Sequence, residues 1–336
     1  MTSNGPASTT PATADAPPAP ETVILASPRG FCAGVDRAID TVRHALDVYG
    51  APIYVRHEIV HNIHVLRELE ELGAVFVKEL DEVPEGANAV LSAHGVAPEV
   101  HRLGEQRGLN VIDATCPLVT KVHKEAIRFA DAGYTIILIG HEGHEEVIGT
   151  MGEAPDAITL VGTVEEVDEL DLGSPEKMAY ISQTTLSVDE TASIIRRLRE
   201  RYPQIEGPKR DDICYATSNR QAAAKELAGQ CDLVLVIGSG NSSNSVRLVE
   251  VARDAGTPAH RIDDETMIED AWLQGVKVVG ITSGASAPES LVERVLEFFR
   301  QRGTTDIRGD RVVDEGVHFM LPTKLRTELN EFAGRG

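Results

Sequence analysis

The chain has 336 residues and a mass of 36.2 kDa, which is enough for two or three domains with a large core. It carries 32 Lys and Arg against 53 Asp and Glu, and a formal net charge of -21 argues against binding to nucleic acid or anionic lipid. The longest apolar runs have the length of strands, far short of the roughly 20 residues of a membrane helix, so we expect a soluble protein with no membrane partner.

Residues 1–20 hold five prolines, no Lys or Arg and no apolar block. This composition predicts a disordered tail rather than a secretory or mitochondrial signal. The four cysteines are too few and too scattered for a disulfide framework, which indicates a reducing, cytoplasmic environment.

From Glu21 onward, short apolar runs are followed by polar clusters and then by helical segments, which is typical of β-α units. We therefore predict an α/β fold with mainly parallel sheets covered by helices. Ligands in such folds bind beyond the carboxyl ends of the strands, so the polar clusters are candidates for one shared site. Each cluster taken alone is better explained as an ordinary N-cap or turn.

Cys32, Cys116 and Cys214 each stand at a loop-to-helix junction and are separated by 84 and 98 residues. This spacing predicts three similar lobes, at 21–116, 117–213 and 214–325, the last including a C-terminal closing segment, with a flexible C-terminus at 326–336. Helix N-termini and nearby cations are expected to lower the thiol pKa values and favour thiolates.

Three converging thiolates would suit zinc or an iron-sulfur cluster and would leave one coordination position open. Cysteines so far apart in sequence are also often unrelated core residues, and both interpretations stay open on spacing alone. Cys231 begins the strand-like run "CDLVLVIG" and is interpreted as a small core residue.

Several loops predict an anion pocket because hydroxyls, amides and backbone N–H groups can hold phosphate without Lys or Arg. The loops are "SQTTLS", "GNSSNS" and "GASAP", and the histidines His61, His94 and His144 would add donors that become cationic when protonated. The stretch "HEGHEEVIGT" adds Glu142, Glu145 and Glu146. A carboxyl group buried there would have its pKa raised and could act as a general acid, although sequence alone does not rank the three.

Taken in order, nine segments resemble the 4-hydroxy-3-methylbut-2-enyl diphosphate reductases of the non-mevalonate isoprenoid pathway, over roughly residues 22 to 325. The segments are "PRGFCAGVDRAI", "HEIVHN", "SAHGV", "DATCPLVTKVH", "GHEGHEEVIGTMG", "SQTTLSVDE", "CYATSNRQ", "GSGNSSNS" and "GASAPESLV". The resemblance implies three α/β lobes around a 4Fe-4S cluster with one open iron site. It also implies a two-electron, two-proton removal of an allylic hydroxyl group, giving isopentenyl and dimethylallyl diphosphates.

The resemblance further implies roles for particular residues. The metal ligands would be Cys32, Cys116 and Cys214; the substrate-binding residues would be His61, His94, His144, Thr184, Thr185, Ser242, Ser243, Asn244 and Ser286; and the catalytic residues would be Glu146, Thr184 and His144. A ferredoxin or flavodoxin would supply electrons, and no nucleic acid would bind.

One departure and two rival functions remain. Family members often carry proline where this chain has Glu145, and we expect that side chain to face solvent. A hydro-lyase would use the same cluster only as a Lewis acid, without electrons. A non-catalytic cluster sensor is disfavoured by the absence of a basic helix and by the phosphate-like pocket.

Overall fold

The computed structural model describes residues 19–173, 175–309 and 315–333. Residues 1–18 of the predicted tail lie outside the described residues. The strands are β1 (Thr22–Leu25), β2 (Ile53–Arg56), β3 (Ala74–Val77), β4 (Asn88–Leu91), β5 (Asn110–Asp113), β6 (Thr135–Ile139), β7 (Ile158–Val161), β8 (Met178–Ser182), β9 (Leu233–Ile237), β10 (Ala259–Ile262), β11 (Val278–Ser283) and β12 (Asp306–Arg308).

Most helices come directly after a strand in chain order. They are α1 (Ala33–Tyr49), α2 (Ile63–Glu71), α3 (Pro98–Gln106), α4 (Pro117–Asp131), α5 (Glu145–Glu153), α6 (Val164–Glu169), α7 (Val188–Arg201), α8 (Tyr215–Ala228), α9 (Ser243–Asp254), α10 (Glu289–Gln301) and α11 (Thr323–Ala333). Short 3-10 turns lie at Leu80–Glu82, Glu265–Met267 and Asp270–Leu273. Within the described residues, no helix is long and apolar enough to cross a membrane.

The strands of the described residues form three separate sheets. Within each sheet, every pair of neighbouring strands is parallel. The strand orders are β10-β9-β11-β1-β12, β3-β2-β4-β5 and β7-β6-β8. All residues of β8 and β9 are buried, as expected for parallel strands covered on both faces by helices. The predicted α/β fold of three lobes is confirmed.

Sheet pairing divides the chain differently from the lobe boundaries expected from cysteine spacing. β1 lies in the five-stranded sheet, where Val23 is paired with Val279 of β11 and with Ile307 of β12. The following helix α1 packs instead on the four-stranded sheet, where Ile39 and Val42 join the core of β2 and β4. Residues 21–32 therefore pass from one lobe to another, and the exact boundaries stay a prediction.

The C-terminal residues pack on the lobe of the four-stranded sheet. Leu325 of α11 is fully buried in the core that α1 covers, and α11 packs against α1. The segment 326–336, for which we predicted flexibility, thus starts inside a helix, and residues 334–336 lie outside the described part of the chain.

Candidate active site

One cavity of about 110 Å³ lies where the three lobes meet, and all thirteen site residues named from the sequence line it. They are Cys32, His61, His94, Cys116, His144, Glu146, Thr184, Thr185, Cys214, Ser242, Ser243, Asn244 and Ser286. Most come from loops that follow a strand and precede a helix, so the carboxyl ends of the strands in all three sheets contribute to it. Among the described residues that line the cavity, none is Lys or Arg.

Cys32, Cys116 and Cys214 are the N-cap residues of α1, α4 and α8. The backbone N–H of each cysteine donates to a carbonyl in another loop of the cavity. Cys32 donates to Ala285 (3.2 Å), Cys116 to Ala93 (2.9 Å) and Cys214 to Thr184 (3.0 Å). These bonds hold each thiol at a junction between two loops. Cys231 does not line the cavity and packs with the core of α8 and β9 instead.

The three thiols, which line one cavity, are the soft donor set that an iron-sulfur cluster takes. A Cβ added at Gly34 would lie 2.8 Å from Cys116 Sγ and 3.8 Å from Cys32 Sγ, so this position stays free only because it is glycine. In the described part of the chain, no three His, Cys, Asp or Glu side chains lie close enough to hold one metal ion. A cluster is wider than an ion and takes thiolate ligands from separated positions.

The expected lowering of the thiol pKa values is wrong in net direction. Burial raises the pKa of Cys116 to about 12 and that of Cys214 to about 11, and it also raises the pKa of Cys32. The hydrogen bonds at the helix N-termini do lower each value, but desolvation is the larger effect. Metal ions with positive charge would therefore be needed to hold all three as thiolates.

Glu146 is singled out from its neighbours by burial, with 2% of its surface exposed. The Thr184 backbone N–H donates to Oε1 (2.7 Å) and the Thr184 hydroxyl donates to Oε2 (3.0 Å). Burial raises the pKa of Glu146 to about 7, although both bonds from Thr184 act in the opposite direction. The carboxyl group can thus hold and release a proton near neutral pH.

Glu142 is exposed, but Glu145 is not free in solvent. Its carboxylate lies 3.5 Å from Nη1 of Arg56 and 3.4 Å from Nδ1 of His57, and only 18% of the side chain is exposed. Both partners stand at the end of β2, in a different sheet from the one that carries α5. The expectation that Glu145 faces solvent was therefore wrong, because distant residues supply a cation and an imidazole.

The three histidines form one compact group. The rings of His61 and His94 stack with centroids 4.1 Å apart, and His144 stands edge-on to both at 5.9 and 6.0 Å. His144 is the N-cap of α5, and its Nδ1 accepts the N–H of Glu146 (3.1 Å), which leaves Nε2 as the position for a proton in the neutral ring.

Burial opposes the protonation of His94 and His144. Desolvation lowers the pKa of His144 to about 4 and brings the pKa of His94 well below its usual value, and the neighbouring imidazoles add to both shifts. Neutral imidazoles remain donors through one N–H each, and an anionic ligand would favour the protonated forms.

The opposite wall offers hydroxyl and amide groups. Ser242 is the N-cap of α9, its hydroxyl lies 3.4 Å from that of Ser286, and Asn244 Oδ1 accepts the N–H of Ala285 (3.0 Å). Ser243 donates to the carbonyl of Thr185 (3.2 Å). This wall and the N-terminus of α9 together suit a phosphate group.

Sequence reasoning missed three residues that shape the cavity. Glu58 accepts a hydrogen bond from His61 Nδ1 (2.7 Å) and so sets the orientation of that ring. The Thr217 hydroxyl lies 3.2 Å from Cys214 Sγ, and Phe319 of the C-terminal segment lines the cavity. The spacing of Glu58 from His61 and of Thr217 from Cys214, three residues each, was the available signal.

Residues 23–300 match the family model described as LytB protein. The chain belongs to the LytB protein family. The match covers most of the chain, including all thirteen cavity residues named above.

Several curated relatives carry the name 4-hydroxy-3-methylbut-2-enyl diphosphate reductase. The protein from Leifsonia xyli is 56% identical over 308 residues, covering 91% of both chains, and that from Mycolicibacterium paratuberculosis is 58% identical over 92% of this chain and 94% of the other. The solved reductase structure from Plasmodium falciparum aligns at a TM-score of 0.88 and 37% identity, over 94% of this chain and 100% of that chain. A second solved reductase aligns at 0.61 and 31% identity, over 83% and 99%. The resemblance seen in the sequence is confirmed.

Proposed function

We propose that this chain reduces 4-hydroxy-3-methylbut-2-enyl diphosphate to isopentenyl and dimethylallyl diphosphates, the last step of the non-mevalonate pathway to isoprenoid precursors. The allylic C–O bond breaks, two electrons and two protons are consumed, and the hydroxyl group leaves as water. The observation that carries this proposal is the single cavity in which three thiols, three histidines, a hydroxyl-rich wall and a buried carboxyl group meet.

We assign the cluster to Cys32, Cys116 and Cys214. A bound 4Fe-4S cluster with three cysteine ligands would supply the two electrons and an open iron position that acts as a Lewis acid toward the hydroxyl group. The chain contributes the thiols at fixed helix N-termini and the small residue Gly34 between two of them. An outside carrier such as a ferredoxin or flavodoxin would deliver the electrons.

We assign the diphosphate to the group of His61, His94 and His144 and to the facing wall of Ser242, Ser243, Asn244 and Ser286. The wall offers hydroxyl, amide and helix N-terminal N–H donors, which hold phosphate without Lys or Arg. The negative charge of the ligand would favour protonation of His94 and His144, whose pKa values burial lowers in its absence. Binding energy gained at this remote group holds the reacting carbon in place.

We assign proton delivery to Glu146, with Thr184 as its partner. The Thr184 hydroxyl donates to Glu146 and is the group between that carboxyl and the substrate hydroxyl, while Thr185 lines the cavity beside it. Protonation of the departing hydroxyl group converts it into water, a far better leaving group. His144, which is hydrogen-bonded to the Glu146 backbone, stands between the proton donor and the diphosphate group.

Anaerobic turnover with dithionite-reduced methyl viologen tests the proposal. We expect two electrons to be consumed for each substrate molecule, with both isomeric products and no oxidation of the dye in the absence of substrate. Stoichiometric conversion without any reductant would contradict the proposal and favour a hydro-lyase that uses the cluster only as a Lewis acid.

A further inference from the structure

The C-terminal residues 315–320, here called the strap, carry Phe319 into the cavity. Phe319 is the part of the strap that lines the cavity, whereas the neighbouring Met320 is 68% exposed. The strap leads into α11, which is packed on α1. No residue of the strap is assigned to the cluster, the diphosphate or the proton path.

The first end of the strap is fastened by Arg220, a side chain that is fully buried. Its Nη1 donates to Glu315 Oε2 (2.9 Å), and Asn219 donates to Glu315 Oε1 (2.8 Å). Its Nη2 donates to the backbone carbonyls of Gly30 (2.8 Å) and Phe31 (3.4 Å), directly before Cys32. Because Arg220 stands on α8, the helix that Cys214 caps, this one guanidinium joins the strap to two of the three cysteine positions.

The second end is fastened by Arg37, one turn into α1 from Cys32. Its Nε donates to the carbonyl of Met320 (2.8 Å), and its Nη1 donates to the carbonyls of Ala114 (2.9 Å) and Thr115 (3.0 Å), directly before Cys116. Arg37 thus joins the strap to the third cysteine position and, through α1, to Cys32 again.

We infer that Arg220 and Arg37 are positioning residues that couple the strap to the cysteine loops, so that closure of the cavity by Phe319 and retention of the cluster depend on each other. Both arginines bond to residues 315–320 and also to backbone carbonyls directly before a cysteine. Planar guanidinium groups with several donors suit this task, since Arg37 donates to three acceptors and Arg220 to four. The inference rests on the proposed function, because it presupposes a cluster on these three thiols.

The two fastenings act in series, because releasing either end frees Phe319 and loosens the adjoining cysteine loop. Residues that hydrogen-bond to the ligands of a metal, or to the backbone beside them, typically change metal affinity by about 10- to 100-fold when they are removed. We therefore expect Glu315→Gln and Arg37→Gln each to lose the cluster to an iron chelator about 10- to 100-fold faster than wild type. The double variant should be no more than a few-fold faster than the faster single variant. Arg37→Lys, which keeps a donor and the charge, should recover part of the loss.

The experiment uses anaerobically reconstituted full-length protein and follows the visible absorption of the cluster after chelator addition. Glu85→Gln removes the same charge from an exposed loop and serves as the matched control. Cluster-loss rates of Glu315→Gln and Arg37→Gln equal to that of Glu85→Gln would overturn the inference. A double variant whose rate increase equals the product of the two single increases would also overturn it, because this indicates two unrelated structural defects. A wild-type protein that takes up no iron or sulfide would instead overturn the proposed function itself.

Discussion

Replacing Glu146 with Gln tests the proposed proton donor. Burial raises the pKa of this carboxyl from 4.5 to about 7, so at pH 7 about half of the molecules hold the proton. An ordinary glutamate with a pKa near 4.5 would be protonated in roughly 0.3% of molecules at that pH, so burial increases the acid form on the order of 150-fold. Gln keeps the size of the side chain and an acceptor for the Thr184 N–H, but it has no acidic proton to give.

We expect Glu146→Gln to lower kcat at least about 100-fold, equivalent to about 2.7 kcal/mol in the barrier, and to leave substrate affinity nearly unchanged. The wild-type kcat should fall as the pH rises through about 7, because the carboxyl then loses its proton, whereas the variant should lack this limb. Steady-state kinetics with a chemical reductant and calorimetric substrate binding give the two quantities. Glu142→Gln, in the exposed part of the same loop, is the control. A kcat within a few-fold of wild type for Glu146→Gln would refute the assignment.

Two further substitutions address the surroundings of Glu146 and the histidine group. The Thr184 hydroxyl donates to Glu146 and lowers the pKa of that carboxyl group. Thr184→Val removes this hydroxyl and should therefore raise the Glu146 pKa, so that the falling limb of the kcat profile moves to higher pH. An unmoved limb would contradict the hydrogen bond. His94→Gln should raise the dissociation constant of the substrate by about 10-fold or more, as expected for a lost bond to a charged group, with little change in cluster content. Unchanged affinity in calorimetry would remove His94 from the diphosphate site.

The sequence pattern predicted that polar loops after the strands share one site because local rules determine where those loops lie, and the individual residues followed from the family resemblance. Apolar strand-length runs followed by polar loops place Ser242, Thr184 and His144 at the carboxyl ends of parallel strands, whichever strands finally pair. The cysteines at loop-to-helix junctions became N-caps for the same reason.

Other features depended on contacts that no local pattern contains. The position of β1 in the five-stranded sheet depends on β11 and β12, more than 250 residues further along the chain, so the lobe to which it belongs could not be predicted from spacing. The partners of Glu145 come from the end of β2, nearly 90 residues earlier. The raised thiol pKa values reflect burial, which depends on all the packed lobes and outweighs the local helix N-terminus.

The central claim is that Cys32, Cys116 and Cys214 hold an iron-sulfur cluster, and iron and acid-labile sulfide on anaerobically purified protein measure this most directly. We predict a brown protein containing both elements, severe loss of both when any one of these cysteines is replaced by Ser, and unchanged content in Cys231→Ser. A colourless wild-type protein that stays free of iron and sulfide after anaerobic reconstitution would contradict the account, as would loss of the cluster in Cys231→Ser alone.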